Sequence, residues 1–202
     1  MRIENFEINE NSPVFIIAEL SANHNGSIAT AIETVKAAKR AGADCIKLQT
    51  YTADTMTIAS DKDDFIVKGT IWENQNLHEL YQKEYTPWEW QEELMQVAKA
   101  EGLICFSSPF DATSVEFLES LNVPAYKIAS FEITDIPLIE LVASKGKPII
   151  ISTGIAEKED IELALDACKR MGNNNIALLK CTSSYPAPIE EANMCMVKDL
   201  AE

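Results

Sequence analysis

The feature that most constrains the fold of this chain is an alternation of short apolar runs with helical segments. The apolar runs cover residues 14–19, 45–49, 103–107, 125–130, 148–152 and 176–181. Apolar residues at helical spacing predict a helix that begins after Ser27, a helix-capping residue. The same spacing predicts further helices at residues 88–100, 112–121, 136–144 and 158–171. Such alternation predicts an α/β protein with a parallel sheet and helical crossovers.

Polar residues finish all six apolar runs. An open doubly wound sheet usually carries a G-x-G-x-x-G fingerprint after its first strand, and the sequence lacks one. Sites supplied by many strand ends are typical of a (β/α)8 TIM barrel. The residues at the ends of the runs are Glu19, Gln49, Ser108, Ser130, Ser152 and Ser183.

Only six of the eight strands of such a barrel can be found in the 202 residues. A complete barrel typically takes about 250 residues. We therefore expect residues 1–202 to form a partial TIM-barrel domain, truncated after the sixth strand. The long connection between residues 49 and 103 is rich in aromatic residues and predicts an ordered lid or binding loop.

Composition excludes several classes of partner. A formal net charge of −15 argues against nucleic-acid binding. No apolar run approaches the roughly 18 residues that span a bilayer, and the N-terminus lacks the apolar core of a signal peptide, so we expect a cytoplasmic protein without a membrane partner. Five cysteines without C-x-x-C spacing predict reduced structural thiols, and Cys181 is expected in the core.

Two lysines interrupt apolar strands. Lys47 lies in the run 45–49 and Lys127 in the run 125–130. A lysine is almost never buried unless it is paired, because an uncompensated ammonium is costly away from water. Two such lysines imply a shared anion, either a pair of carboxylates or a bound phosphate.

Six ordered motifs resemble the sialic acid synthase family, the phosphoenolpyruvate-dependent nonulosonic acid synthases. The segment around residues 71–90 resembles the pseudaminic acid synthase branch in particular. The motifs are Ala-Glu-Leu-Ser-Ala-Asn-His-Asn-Gly at 18–26, Ile-Lys-Leu-Gln at 46–49, Ser-Ser-Pro-Phe-Asp at 107–111, Tyr-Lys-Ile-Ala-Ser-Phe-Glu at 126–132, Ser-Thr-Gly at 152–154 and Cys-Thr-Ser-Ser-Tyr-Pro at 181–186.

The resemblance implies a role for each candidate residue. Glu19 and Glu132 are the implied catalytic carboxylates, and Glu132 would deprotonate a water molecule or stabilise a cation. Relatives often carry Thr at position 108 and Asn at position 183. The implied phosphoenolpyruvate ligands are Lys47, Ser108, Lys127, Ser130, Ser152 and Ser183. The implied sugar-pocket residues are Gln49, Phe110 and Tyr185, together with Glu19.

The reaction implied by the resemblance condenses phosphoenolpyruvate with an N-acetylated amino sugar, giving a nonulosonic acid and phosphate. A divalent metal, Mn²⁺ or Mg²⁺, would polarise the sugar aldehyde. Its ligands are expected on the seventh and eighth strands, outside this chain, as is the C-terminal domain, and the full-length enzyme is expected to be a homodimer. We expect His24 to order its turn and His78 to lie on a solvated helix face, with no metal site in this chain.

Two other functions stay open from the sequence. A lysine on a barrel strand can be the nucleophile of a Schiff-base aldolase. A non-catalytic module that binds sugar phosphates would use the same cations. The pair Trp88 and Trp90 fits packing, a subunit contact or a substrate lid equally well.

We predict that the 202-residue polypeptide by itself is catalytically inactive, binds Mn²⁺ or Mg²⁺ weakly and self-associates, because missing strands leave sheet edges exposed. Phosphate-release assays, metal titration and light scattering measure these three properties. A soluble monomer of this length with metal-stimulated synthase activity would contradict the truncation and the placement of the metal ligands.

Overall fold

A computed structural model describes residues 1–70, 72–184 and 186–201 and divides the chain into two compact units. The N-terminal unit comprises residues 13–123. The C-terminal unit comprises residues 1–12 together with the chain from residue 124 onward.

The described residues form strands and helices in the following order along the chain. The strands are β1 (Arg2–Ile3), β2 (Phe6–Glu7), β3 (Ile17–Glu19), β4 (Cys45–Thr50), β5 (Ile104–Pro109), β6 (Tyr126–Ile128), β7 (Ile149–Ser152) and β8 (Ile176–Leu179). The α-helices are α1 (Ile28–Arg40), α2 (Ala53–Met56), α3 (Leu77–Glu84), α4 (Trp88–Ala100), α5 (Ala112–Ser120), α6 (Ile136–Ser144), α7 (Lys158–Arg170) and α8 (Met196–Asp199). Short 3₁₀ turns lie at Asp63–Phe65, Phe131–Thr134 and Ile189–Glu191.

The N-terminal unit contains three parallel strands in the order β3, β4, β5. The register pairs Glu19 with Lys47 and Gln49 with Ser108. Because side chains alternate along a strand, these four residues share one face of the sheet. The intervening residues Ile46 and Leu48 therefore face the other way.

That other face forms the core of the N-terminal unit. Helices α1 and α4 cover it, and each buries small or apolar residues one helical turn apart. Ser27 caps α1 by accepting a hydrogen bond from the backbone N–H of Thr30 at 3.3 Å. The buried cluster consists of Leu20, Ala31, Val35, Ala43, Ile46, Leu48, Leu94, Ala98, Leu103 and Cys105.

The C-terminal unit repeats this arrangement with β6, β7 and β8, which are parallel. Lys127 pairs with Ile150, and Ser152 pairs with Leu179, so Lys127 and Ser152 lie on the same face. Ile149 and Ile151 point to the opposite face and are fully buried. Helices α6 and α7 pack against each other and contribute buried apolar residues. The short antiparallel pair of β1 and β2 belongs to this unit.

The connection between β4 and α4 is ordered by aromatic and polar contacts. The Tyr51 hydroxyl donates to the carbonyl of Glu84 at 2.8 Å, and its ring makes an edge contact with Tyr81 at 5.7 Å. Trp88 Nε1 donates to the carbonyl of Tyr51 at 3.0 Å. The expectation of an ordered segment is confirmed for its described residues, whose structured parts are α2, the Asp63–Phe65 turn and α3.

The predicted parallel α/β class is confirmed within each unit, and most predicted boundaries lie close to the observed ones. Helices α4 and α6 have the predicted limits. The strand predicted at residues 14–19 is shorter in the structure, because β3 begins at Ile17 and Val14 is exposed. The run at 176–181 ends as a strand at Leu179, so Cys181 lies beyond β8 and is only partly buried. Its placement in the core was wrong.

Two further expectations concern single side chains. His78 was expected on a solvated face, but it is 8% exposed and its Nε2 lies 2.7 Å from Oδ1 of Asp54. That placement was wrong because α2 packs on α3. Trp88 stacks on Phe117 at 4.7 Å, and Trp90 contacts the His24 ring at 5.3 Å, so both residues pack within the N-terminal unit.

Among the helices of the described residues, none is long and apolar enough to cross a membrane.

Candidate active site

Strands β3 and β4 place two opposite charges side by side. Oε1 of Glu19 lies 2.5 Å from Nζ of Lys47. The Lys47 side chain is 10% exposed, whereas that of Glu19 is 44% exposed. Glu19 is therefore the counter-ion that allows an ammonium to occupy an interior strand position. Its own exposure leaves the carboxylate accessible to a ligand.

Gln49 is held in one orientation by the loop that follows β3. The Ser21 hydroxyl donates to Oε1 of Gln49 at 2.7 Å. Because the carbonyl end of the side-chain amide is occupied in this way, its NH₂ group is directed away from Ser21. A part-buried donor at this position suits a hydroxylated or anionic ligand.

Ser108 carries a buried hydroxyl group without a hydrogen-bond partner among the described residues. The residue is 1% exposed. Buried polar atoms are nearly always hydrogen-bonded, because leaving one unpaired costs free energy. Its neighbour on the paired strand is Gln49. The two side chains therefore offer hydrogen bonds at the same end of the sheet.

Phe110 follows β5 and packs against the long connection. Its ring makes an edge contact with Tyr51 at 5.4 Å. Burial, reinforced by Tyr81 and Glu84, raises the pKa of Tyr51, so this hydroxyl stays protonated as a donor. Phe110 is thus fixed by aromatic packing, and its predicted contact with a sugar stays a prediction.

In the C-terminal unit, Lys127 and Ser152 form the centre of the site. Nζ of Lys127 donates to Oγ of Ser152 at 2.5 Å and to the carbonyl of Ile128 at 2.8 Å. Both side chains are nearly buried, with Lys127 6% and Ser152 5% exposed. The hydroxyl and carbonyl oxygens are acceptors that solvate the ammonium. The positive charge can attract an anion.

Two more serine hydroxyls crowd the backbone just beyond β7. The N–H of Gly154 donates to Oγ of Ser130 at 3.3 Å. A Cβ at position 154 would overlap Oγ of Ser183 and lie 2.9 Å from Oγ of Ser130. The φ of Gly154 is not in the left-handed region, so backbone conformation does not explain the glycine. Glycine is required here because a side chain would collide with the two hydroxyl groups. The absence of a side chain leaves a cradle of hydroxyl groups at this strand end.

Glu132 lies in the 3₁₀ turn that follows β6. Its Oε2 is buried and has no hydrogen-bond partner within the described part of the chain. Burial raises the pKa of this carboxyl group, Lys127 opposes that shift and Asp135 adds to it. A carboxyl group with a raised pKa is suited to exchange a proton near neutral pH.

Cys181 contacts the candidate cluster of the C-terminal unit, although it was not among the predicted site residues. Sγ of Cys181 lies 3.1 Å from Oγ of Ser152. Cys181 is the last residue of the apolar run 176–181, so its place at a strand end was visible in the sequence. It was assigned to the core since free cysteines usually behave as small hydrophobes.

His24 orders the loop after β3, as predicted. Its Nδ1 accepts a hydrogen bond from the N–H of Gly26 at 3.2 Å, and its Nε2 lies 3.4 Å from Oγ1 of Thr86. Burial lowers the pKa of His24, while Glu84 partly opposes this, so the ring favours the neutral form that can accept this bond. A cavity of about 580 Å³ adjoins the turn and is lined by Ala22, Asn23, Asn25, Gly26, Lys83 and Glu84.

The structure thus brings the predicted residues together in two groups, one in each unit. Glu19, Lys47, Gln49 and Ser108 share a sheet face in the N-terminal unit, and Lys127, Ser130, Ser152 and Ser183 cluster in the C-terminal unit. Tyr185 lies outside the described residues. Across residues 1–70, 72–184 and 186–201, no group of three His, Cys, Asp or Glu side chains could hold a metal ion.

Comparison of the sequence with known proteins gives a consistent set of relatives. The NeuB family model matches residues 34–202. The chain is similar to the pseudaminic acid synthase of Campylobacter jejuni serotype O:2, with 49% identity over 202 residues that make up 100% of this chain and 58% of that protein. It is similar to the pseudaminic acid synthase of Helicobacter pylori, with 52% identity over 190 residues, or 94% and 56% of the two chains. The chain therefore spans less than two thirds of the length of these relatives.

Solved structures show the same likeness. The N-acetylneuraminic acid synthetase of Leptospira borgpetersenii, in complex with citrate, superposes with a TM-score of 0.86 and 30% identity over 99% of this chain and 65% of that one. The spore coat polysaccharide biosynthesis protein SpsE of Bacillus subtilis superposes with a TM-score of 0.83 and 35% identity over 100% of this chain and 53% of that one. These likenesses confirm the predicted fold class, a (β/α)8 barrel represented by its first six strands.

We predict that Gly154→Ala lowers the free energy of unfolding by about 1–3 kcal/mol, because a methyl group would be forced into a close-packed position. Displacement of the Ser130 and Ser183 hydroxyls by this methyl group should also weaken the binding of inorganic phosphate. Denaturant unfolding and phosphate titration measure the two effects. The double variant Gly154→Ala/Ser183→Gly should recover part of the stability but none of the phosphate affinity, and wild-type behaviour of Gly154→Ala would disprove the cradle.

We predict that Glu132→Gln removes part of the pH dependence of stability. The pKa of Glu132 is raised in the folded protein. The folded chain therefore keeps this proton at pH values above about 4.3, where Glu132 of the unfolded chain releases it. The free energy of unfolding therefore falls as pH rises from that value through the folded pKa, and Gln cannot contribute this fall. Urea unfolding at a series of pH values measures it, with the exposed acid of Glu116→Gln as control. Identical pH slopes in wild type and Glu132→Gln would refute the burial argument.

Proposed function

Because this chain belongs to the NeuB family, we propose that its protein condenses phosphoenolpyruvate with an N-acetylated amino sugar to give a nonulosonic acid and phosphate. Relatives at 48–52% identity are named pseudaminic acid synthases, and others are named synthases of N,N'-diacetyllegionaminic acid and N-acetylneuraminate-9-phosphate. Within this group we propose pseudaminic acid as the product class. The supporting identity covers 94–100% of this chain.

The observation that carries the proposal is the buried cation of Lys127 beside hydroxyl groups. Its ammonium donates to a serine hydroxyl at 2.5 Å and to a backbone carbonyl at 2.8 Å. Ser130 and Ser183 lie around Gly154, two residues beyond Ser152. A point charge with several hydroxyl donors suits a phosphate or carboxylate. We assign this cluster to phosphoenolpyruvate.

The remaining residues take roles that their environments support. Lys47, partly neutralised by Glu19, and the unpaired Ser108 hydroxyl are the proposed anion-binding groups of the N-terminal unit. Glu19 and Gln49 would bind the sugar, together with Phe110 and Tyr185. In the reaction, C3 of phosphoenolpyruvate attacks the sugar aldehyde carbon, which leaves positive charge at C2. Water then adds to C2, and phosphate leaves with cleavage of the C–O bond.

Glu132 is the proposed proton acceptor for that water. A base must be deprotonated to act, and its raised pKa brings the change of protonation closer to neutral pH. Lys127 favours the charged form of Glu132 and so lowers the pKa of that carboxyl group. The same cation would therefore bind the substrate and favour the deprotonated base. Activity should therefore fall as pH drops through the pKa of Glu132.

A divalent cation, Mn²⁺ or Mg²⁺, belongs to the proposal as a Lewis acid for the aldehyde. The described residues do not fit such a site, since they contain no group of three ligating side chains. The ligands would come from outside this chain. We also propose that the full-length protein is a homodimer, which light scattering would test.

The alternative of a Schiff-base aldolase is less favoured by the geometry. A Schiff-base lysine must present a free amine to its substrate, whereas Nζ of Lys47 is in an ion pair with the Glu19 carboxylate at 2.5 Å. Borohydride reduction in the presence of pyruvate would leave a covalent lysine adduct in an aldolase and none in the synthase. Release of phosphate from phosphoenolpyruvate, with a suitable sugar, would exclude a non-catalytic binding module.

The decisive experiment measures phosphate release by the full-length protein with phosphoenolpyruvate and two sugars in parallel. We expect turnover with a diacetamido-dideoxy sugar and little with N-acetylmannosamine. The opposite preference would retain the family reaction and overturn the pseudaminic assignment. No phosphate release with either sugar, in the presence of Mn²⁺, would overturn the proposed reaction.

We predict that Lys127→Ala weakens phosphoenolpyruvate binding by about 2–5 kcal/mol, because a buried charge partner is removed. Isothermal titration calorimetry measures the change. Lys158→Ala, at an exposed position on α7, is the control for loss of a lysine. Unchanged affinity in Lys127→Ala would make Lys127 a structural residue.

We predict that residues 51–86 influence the choice of sugar but not the binding of phosphoenolpyruvate. Lys83 and Glu84 from this connection line the cavity beside the turn at Asn23. Exchange of the segment for that of an N-acetylneuraminate synthase should change the ratio of kcat/KM between the two sugars, and Lys83→Ala should change it to a smaller degree. If only the thermal unfolding midpoint changes, the connection is a packing element.

A further inference from the structure

Ser152 lies between a charged donor and a thiol. Its Oγ is 2.5 Å from Nζ of Lys127 and 3.1 Å from Sγ of Cys181. Ser152 is 5% exposed, whereas Cys181 is partly exposed at the start of the loop after β8. The three residues come from strands or strand ends of the C-terminal unit.

The number of protons on these groups limits what Ser152 can do. A serine hydroxyl has one proton and two lone pairs, and a lysine ammonium can only donate. Lys127 therefore occupies one lone pair of Ser152. If the thiol donates to the second lone pair, the single hydroxyl proton must point away from both neighbours. That proton is then available to a bound anion.

The thiol has a second acceptor within reach. Its Sγ lies 3.6 Å from the carbonyl of Leu179. When the thiol proton turns to that carbonyl, the Ser152 hydroxyl can donate to sulfur instead, and its proton is no longer available to a ligand. The orientation of one thiol proton thus determines whether Ser152 is a donor to the ligand.

We propose that Cys181 is a positioning residue that keeps the Ser152 hydroxyl directed as a donor toward the anion bound at Lys127. This inference rests on the proposed use of the cluster for phosphoenolpyruvate. It gives the thiol a role that depends entirely on Ser152. The contribution of Cys181 to binding should vanish when the Ser152 hydroxyl is removed.

A double-mutant cycle on the full-length protein tests this dependence. Calorimetry with phosphoenolpyruvate is carried out on wild type, Cys181→Ala, Ser152→Ala and the double variant. We expect Cys181→Ala to weaken binding about three- to tenfold, the effect of one hydrogen bond. In the Ser152→Ala background the same substitution should change the affinity by less than about twofold. Cys195→Ala, at an exposed thiol outside the cluster, should bind as wild type does.

Cys181→Ser provides a second test that does not depend on the folding of the alanine variant. A hydroxyl retains a donor at position 181, so affinity should remain within about threefold of wild type when Ser152 is present. A greater loss would overturn the inference, as would equal losses for Cys181→Ala with and without Ser152.

The outcome also separates this inference from the proposed function. A wild-type protein that binds no phosphoenolpyruvate would overturn the proposed function and this inference together. Normal binding by wild type with unaltered binding by Cys181→Ala would overturn this inference alone.

Discussion

The free-energy cost of burying a lysine ammonium is the constraint on which the candidate site depends. Lys47 and Lys127 occupy interior strand positions where an apolar side chain would be the default. The ammonium of Lys47 contacts the Glu19 carboxylate, and that of Lys127 donates to a serine hydroxyl and a backbone carbonyl. The protein has an overall charge of −15, which repels an anion at long range. The two buried lysines can still attract an anion at short range, because contacts at buried sites are weakly screened.

The alternation of side chains along the strands keeps this chemistry apart from the packing that stabilises the fold. In β4, Lys47 and Gln49 face the site, whereas Ile46 and Leu48 belong to the buried cluster under α1 and α4. Strand ends can therefore carry different polar residues without disturbing the core. This separation is the general reason that barrel folds support many reactions through their strand ends and loops.

Two of the candidate residues carry a buried oxygen atom without a hydrogen-bond partner among the described residues. These atoms are Ser108 Oγ and Glu132 Oε2, and each such atom disfavours the folded state. Asp111 Oδ2 is unpaired in the same way, but its Oδ1 caps α5 and gives that residue a structural role. Unpaired atoms at strand ends are expected where a substrate completes the hydrogen bonding.

The sequence alone determined the order of the six parallel strands and their main helices, the family, and the candidate residues at the strand ends. Apolar periodicity and strand-end polarity are local signals, and so α4 and α6 were predicted with their observed limits. Contacts between residues distant in the chain were decided by tertiary structure. His78 is buried because Asp54, 24 residues earlier, meets it across α2 and α3, and Cys181 contacts Ser152, 29 residues earlier. Neither pairing leaves a periodic signal, because each depends on how two elements pack.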